Sequence, residues 1–313
     1  MTVDPDLLLL LEVLVGVLVL ATGIGWVLGR RARTESGIAT VANLNSRIRA
    51  WWVMWAMFGF AVVVGRIGSV IFFGLASVLA LREFLTIVPT RPGDHRALWW
   101  TFFVITPLQY VLVATGSYDL FSVLIPVFAF LFIPVRIAIA GDVTEFLQRA
   151  AETQWALMAC VYCISYVPAL LMLNIPGYSG QNAKLLFFFV LVVQSSDILQ
   201  YIWGKTVGGP RIAPRVSPNK TLGGFAGGVV SAALLGAGLW WVTPFSPWQA
   251  GLISLLIALV GFAGDLTMSA IKRDSGVKDY GSMIHGHGGI MDRIDSICFA
   301  APVFFHVVRY FFT

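Results

Sequence analysis

The stretch LLLLLEVLVGVLVLATGIGWVLG, residues 7–29, holds 22 uncharged residues and a single acid, Glu12. A helix rises 1.5 Å per residue, so a run of this length reaches across a hydrocarbon core about 30 Å thick. It reads as a membrane span. Acidic residues precede it and Arg30, Arg31 and Arg33 follow it. A cleavable signal peptide has the opposite charge order, so the span is expected to be retained.

The same reading extends along the chain. With the first span at 7–28, further apolar runs predict spans at 51–65, 67–81, 98–115, 119–139, 155–173, 184–203, 222–242, 247–264 and 297–312, about ten in all. Composition agrees, with 58% hydrophobic and 12% charged residues among 313, well outside ordinary soluble domains. Lipid offers backbone groups no partner, which leaves helices or a closed barrel, and these runs are too long for barrel strands. The expected fold is therefore all-α: a polytopic integral membrane helical bundle of about ten transmembrane helices. Only Gly65, Arg66 and Gly68 interrupt the second and third runs, so one tilted span plus a surface helix is the alternative there.

Charge tests the count. With the N-terminus outside, segments 29–50, 82–97, 136–154, 204–221 and 265–296 fall in the cytoplasm and hold 18 of the 21 Lys and Arg residues. Only Arg66, Lys184 and Arg309 remain outside. So uneven a split follows the positive-inside rule and supports both number and direction, with a bacterial inner membrane the expected location. The net charge of +5 suits anionic lipid or phosphate, but the same rule also produces it. No nucleic-acid partner is expected.

Several features have plain readings. Cys160, Cys163 and Cys298 lie in apolar runs and suggest neither disulfides nor a zinc site. Trp51, Trp52 and Trp55 read as rings at headgroup depth, with a lipid-substrate contact as the alternative. LREFLTIVPTRPGDHRALWW, residues 81–100, reads as a cytoplasmic turn whose charges anchor the loop. No internal repeat or soluble domain stands out. The charge-rich second half suggests a scaffold region at 1–150 followed by a catalytic region at 151–313, with motifs at 197–228 and 264–296.

The second motif concentrates polar chemistry. Continuing the helix past Asp265 puts Asp265, Ser269 and Lys272 on one face, at i, i+4 and i+7. An unpaired Asp265 would be costly so near the apolar core, so a cation or a partner should neutralise it; a structural pair with Lys272 is the plain alternative. In GSMIHGHGGIMDRIDS, residues 281–296, Gly286, Gly288 and Gly289 surround His287, where backbone amides can approach an anion beside a helix start. Asp292 and Asp295 lie at i, i+3 on that helix, and Arg293 adds a fork for phosphate oxygens. Acids and bases mixed so densely fit a divalent metal with a polyphosphate, and hard oxygen ligands point to magnesium.

The first motif, DILQYIWGKTVGGPRIAPRVSPNKTLGGFAGG at residues 197–228, is made basic by Lys205, Arg211, Arg215 and Lys220. Pro218 with Ser217 and Thr221 reads as the start of the next helix. A positive-inside anchor would explain the charge, but Asp197 and Gln200 sit just inside the preceding span, where polarity needs a reason. GGFAGG is either small-residue helix packing or close approach to a ligand.

Taken together, Ser269, Lys272, Arg273, Lys278, Asp279, Gly286, His287, Gly288, Gly289, Asp292, Arg293 and Asp295 resemble, in order and spacing, the signature of phosphatidate cytidylyltransferases, the CDP-diacylglycerol synthases. GDL at 264–266 and SPNKT at 217–221 resemble the flanking motifs, and the likeness is strong over roughly 195–300. His285 stands where the family usually has proline, Asn219 where it has lysine, and Gly223 near where it has glutamate. These departures bear on nucleotide or lipid preference.

The resemblance implies CTP and phosphatidate, or a related lipid phosphate, as substrates. Membrane lipids would surround the bundle, and CDP-diacylglycerol and pyrophosphate would be the products. It implies magnesium on Asp265 and Asp292, with Ser269 and Asp295 as nearby ligands or orienters, and leaves open a second, monovalent cation and a homodimer. Lys272, Arg273, Lys278 and Arg293 would clamp phosphates, with Lys220, Ser217 and Thr221 contributing from the other loop. His287 either donates to a phosphate or orders the loop, and Asp279 either pairs with a lysine or touches substrate. Rival readings are a CTP-dependent polyprenol or phytol kinase, a cytidylyltransferase for another anionic lipid, and a transporter. A transport site usually gathers near mid-bilayer, unlike this cluster at one face.

Overall fold

A computed structural model describes residues 4–31, 34–283 and 288–313. Its apolar helices are α1 (Pro5–Arg31), α2 (Glu35–Val64), α3 (Arg66–Ile87), α4 (Pro92–Thr115), α5 (Tyr118–Ala138), α6 (Phe146–Met172), α7 (Asn182–Thr206), α8 (Leu222–Gly238), α9 (Pro247–Asp274) and α10 (Met291–Phe312). Among the described residues, nine of these are long and apolar enough to cross a membrane, and α8 is a shorter apolar helix of 17 residues. The helical membrane bundle expected from the sequence is the fold observed.

The doubtful second and third runs are two separate helices. Gly65, at φ 89°, breaks the chain between them, a backbone setting that glycine enters without steric cost. Both helices extend beyond their predicted spans. The helix α2 begins 16 residues before the expected start at residue 51, with Thr34 accepting from the Gly37 amide at 3.2 Å. At its other end α3 runs on to Ile87, so Arg82 and Glu83 lie in a helix rather than in the turn assigned to 81–100.

The first motif differs from expectation as well. Ser217–Thr221 is a strand, β2, paired antiparallel with β1 (Arg211–Ala213), and not the start of a helix. Pro218 lacks an amide hydrogen and is tolerated in such a two-stranded edge. The helix begins only at Leu222, where the Thr221 hydroxyl accepts from the Gly224 amide at 3.2 Å. Ahead of α9, Ser246 forms a capping box with Gln249, and Pro247 occupies the first turn.

The last four helices pack in chain order, α7 on α8, α8 on α9 and α9 on α10, and α10 returns to α7. Glycines set the spacing. A Cβ at Gly228 would lie 2.3 Å from Gln200 Cγ and one at Gly224 would lie 2.8 Å from the Gln200 carbonyl oxygen, so GGFAGG is a close helix contact. A Cβ at Gly264 would meet the Asp295 carbonyl oxygen at 2.8 Å, which is why α9 and α10 can hold Asp265 and Asp295 near each other. On the other side α3 packs against α6 and α10, while α1 and α2 lie side by side, tied by a 3.0 Å bond from Trp52 Nε1 to Thr22 Oγ1. At the far end from both motifs, buried Lys184 binds Asp6 at 2.8 Å and Asp4 at 3.3 Å.

Candidate active site

Two cavities meet at the end of the bundle where α9 finishes and α10 starts. The larger, about 1050 Å³, is lined by Gln194, Asp197 and Tyr201 of α7, by Lys278, Asp279 and Gly288 of the connecting loop, and by Asp292, Arg293 and Asp295 of α10. The smaller, about 230 Å³, is lined by Ser217, Asn219, Lys220 and Thr221 of the hairpin together with Gln200, Phe262 and Asp265. Asp197 and Tyr201 line both. The two motifs, separated by 35 residues in sequence, thus line adjoining cavities.

Ion pairs between elements fix these charges. Lys220 donates to Asp265 Oδ2 in a short contact, with its ammonium 4.5 Å from the Phe262 ring. Ser269 Oγ donates to the other Asp265 oxygen at 3.3 Å. Lys272 Nζ reaches Asp292 Oδ1 at 2.8 Å, so the Asp265 to Lys272 pair weighed from the sequence is replaced by two pairs with different partners. Asp292, only 7% exposed, accepts through Oδ2 from the amides of Tyr280 and Gly289, both at 2.9 Å. One carboxylate therefore closes the connecting loop onto α10. Gly288, at φ 80°, lies so near it that a Cβ would stand 2.7 Å from Asp292 Oδ2.

Between the helices Asp197, Asp265 and Asp295 are close enough to repel one another, opposed by Lys272, Lys220 and Arg293. Ser296 Oγ donates to Asp197 at 3.1 Å. Arg293 Nε is buried with no hydrogen-bond partner among the described residues. Such a group favours an additional acceptor, and clustered carboxylates favour an additional cation. Among the described residues no three acidic, histidine or cysteine side chains converge into a ready-made metal cage. A donor set of carboxylates and hydroxyls still suits magnesium, which takes one or two carboxylates and completes its shell with water and phosphate oxygens.

Some predicted residues have supporting positions. Arg273 lines neither cavity; its Nε donates to the Val216 carbonyl at 3.2 Å and its Nη1 to Val277 at 2.9 Å, bracing the hairpin against the end of α9. Thr221 caps α8, and Gln200 donates to Ser196 Oγ at 2.9 Å. Gly286, His287 and the departure at His285 lie outside the described residues.

Sequence reasoning missed Glu83 and Tyr280. Glu83, 7% exposed, accepts from the Met291 amide at 2.9 Å and so caps the start of α10 from another helix. Its Oε1 has no partner among the described residues, and Cβ atoms at Gly281 and Gly289 would stand 2.7 and 2.2 Å from the carboxylate. An acid within a continuing apolar helix was the available signal. Tyr280 lies 5.3 Å beneath the Lys272 ammonium and stacks on Phe84; burial pushes its phenol above the ordinary value, keeping it a neutral donor to the Met268 carbonyl.

Residues 45–311 match the cytidylyltransferase family, most of the chain. The chain belongs to this family. It is 30% identical to a phosphatidate cytidylyltransferase of Bacillus subtilis (strain 168) over 281 residues, covering 87% of this chain and all of that one. A phosphatidate cytidylyltransferase of Brucella abortus (strain 2308) is 29% identical over 269 residues, 85% of this chain and 93% of that one. The uncharacterized protein YnbB of Escherichia coli (strain K12) is 39% identical over 304 residues, 96% and 97% of the two chains. Membership of the cytidylyltransferase family implies CTP binding, and the paired cavities are the place in this fold with the charge for it.

Proposed function

We propose that this cytidylyltransferase joins CTP to phosphatidate, forming CDP-diacylglycerol and pyrophosphate, at the cytoplasmic face of a bacterial inner membrane. The observation that carries the reading is the convergence of both motifs on one charged cavity at the end of an apolar bundle. Relatives named phosphatidate cytidylyltransferase over nearly their whole length support the lipid substrate.

The obstacle is mutual repulsion of two polyanions. A phosphomonoester is already largely ionised near neutral pH, its second pKa being about 6, so no strong general base is needed. A phosphatidate oxygen attacks the α phosphorus of CTP, the new P–O bond forms, and the bond to the bridging oxygen of pyrophosphate breaks. Lys278 and Arg293, on the cavity wall, hold phosphate oxygens in line. Lys220, on the wall of the smaller cavity, is held by Asp265, and Lys272, which lines neither cavity, is held by Asp292, so both ammonium groups are fixed before substrate enters. Magnesium, for which Asp265 and Asp292 are the proposed ligands, would screen charge on the phosphates. The acyl chains stay in lipid, which accounts for building a phosphotransfer site on membrane helices.

The test is pyrophosphate release by the purified protein in mixed micelles containing phosphatidate, CTP and magnesium. Release that depends on phosphatidate is expected. Release of CDP instead would identify a lipid kinase and overturn the proposal.

A further inference from the structure

The larger cavity has a wall that neither motif supplies. It is built by α2, through Leu44, Arg47, Ile48 and Trp51. Arg47 and Trp51 are four residues apart, hence neighbours on one helical face. No carboxylate lines this wall. The carboxylates and cations of the signature line the same cavity from α10 and the loop before it.

We infer that Arg47 and Trp51 form the subsite for the lipid phosphate, Arg47 binding the phosphate and Trp51 with its apolar neighbours covering the glycerol and first acyl carbons; this rests on the reading that a lipid phosphate is the acceptor. Three observations support it. Lys220 and Lys272 are already engaged by carboxylates, whereas Arg47 makes no ion pair among the described residues. Two phosphorylated substrates need separate cations, and Lys278 and Arg293 come from α10 and the loop before it while Arg47 comes from α2. Depth also agrees. Trp51 and Trp52 fall where α2 passes from a mixed polar segment into its continuous apolar run, the level at which aromatic rings meet lipid headgroups. Arg47 lies one turn further along α2, about 6 Å by helical rise, toward the end that carries the site. A guanidinium beside an indole and aliphatic side chains matches a molecule whose phosphate is joined directly to apolar chains.

The experiment measures KM separately for phosphatidate, as mole fraction in micelles, and for CTP. Arg47→Ala is expected to raise the phosphatidate KM about tenfold, the scale of a lost charge-assisted hydrogen bond, with the CTP KM unchanged within about twofold. Arg47→Lys should recover part of the loss, since it keeps the charge but not the fork. Arg47→Gln, closer in length, carries the same expectation should Arg47→Ala not stay monodisperse on gel filtration. An unmoved phosphatidate KM, or an equal rise in the CTP KM, would overturn the subsite. Wild-type protein that releases no pyrophosphate with phosphatidate would instead remove the functional reading on which the subsite rests.

Discussion

Asp265 shows how the need of a single side chain can be read in sequence while its partner stays open. Its depth in an apolar helix demanded neutralisation, and the structure supplies it through Lys220 of the hairpin rather than Lys272 of the same helix. Spacing along one helix was legible, whereas the partner comes from a strand that no periodicity announced. Asp265→Asn removes the charge that positions Lys220 and the proposed magnesium ligand together. Turnover is expected to fall about a hundredfold or more, read as pyrophosphate release, with the protein still monodisperse. Chelation by EDTA should abolish wild-type turnover and added magnesium should restore it; turnover that persists in EDTA contradicts the metal assignment. Glu83 makes a different prediction. Glu83→Ala leaves the Met291 amide without an acceptor and should cost about 1–3 kcal/mol in thermal or denaturant unfolding. In Glu83→Gln the amide oxygen can still accept, so most of that stability should remain.

At the level of elements, the apolar runs were legible because lipid permits so few alternatives, and eight of the nine long helices both start and end within about three turns of their predicted limits, the start of α2 being the exception. The first half of α2 was not legible, since residues 35–50 mix polar with apolar side chains and become helical as an extension of a membrane span. The hairpin was hidden by two prolines and a short strand length. GGFAGG allowed two readings, and the close approach of Gly228 to Gln200 decides for helix packing. Gly228→Leu should therefore force α7 and α8 apart at a cost of about 1–3 kcal/mol, and turnover should fall with it because Asp197 lies one turn from Gln200. Unchanged unfolding midpoint and turnover would contradict the packing role.

Across the whole molecule, lysine and arginine gather at one end and the Lys184 clamp with Asp4 and Asp6 lies at the other. The signature legibly marked the end of the bundle that carries the charged cavities, but not that Arg47 of α2 lines the larger one or that Glu83 of α3 caps α10, since both arrive only through tertiary packing. Orientation is testable in a cysteine-free background. Ser179→Cys, exposed beyond the start of α7, should react with an impermeant maleimide on intact cells, and Arg215→Cys only after the membrane is opened. The reverse labelling would invert the topology.

The chemistry itself is read most directly by following phosphorus. With CTP labelled at the α position, label should enter the chloroform-soluble product when phosphatidate is present; with CTP labelled at the γ position, it should appear only in pyrophosphate. Label from the γ position in the lipid would contradict cytidylyl transfer, as would a lipid fraction that acquires no label from either.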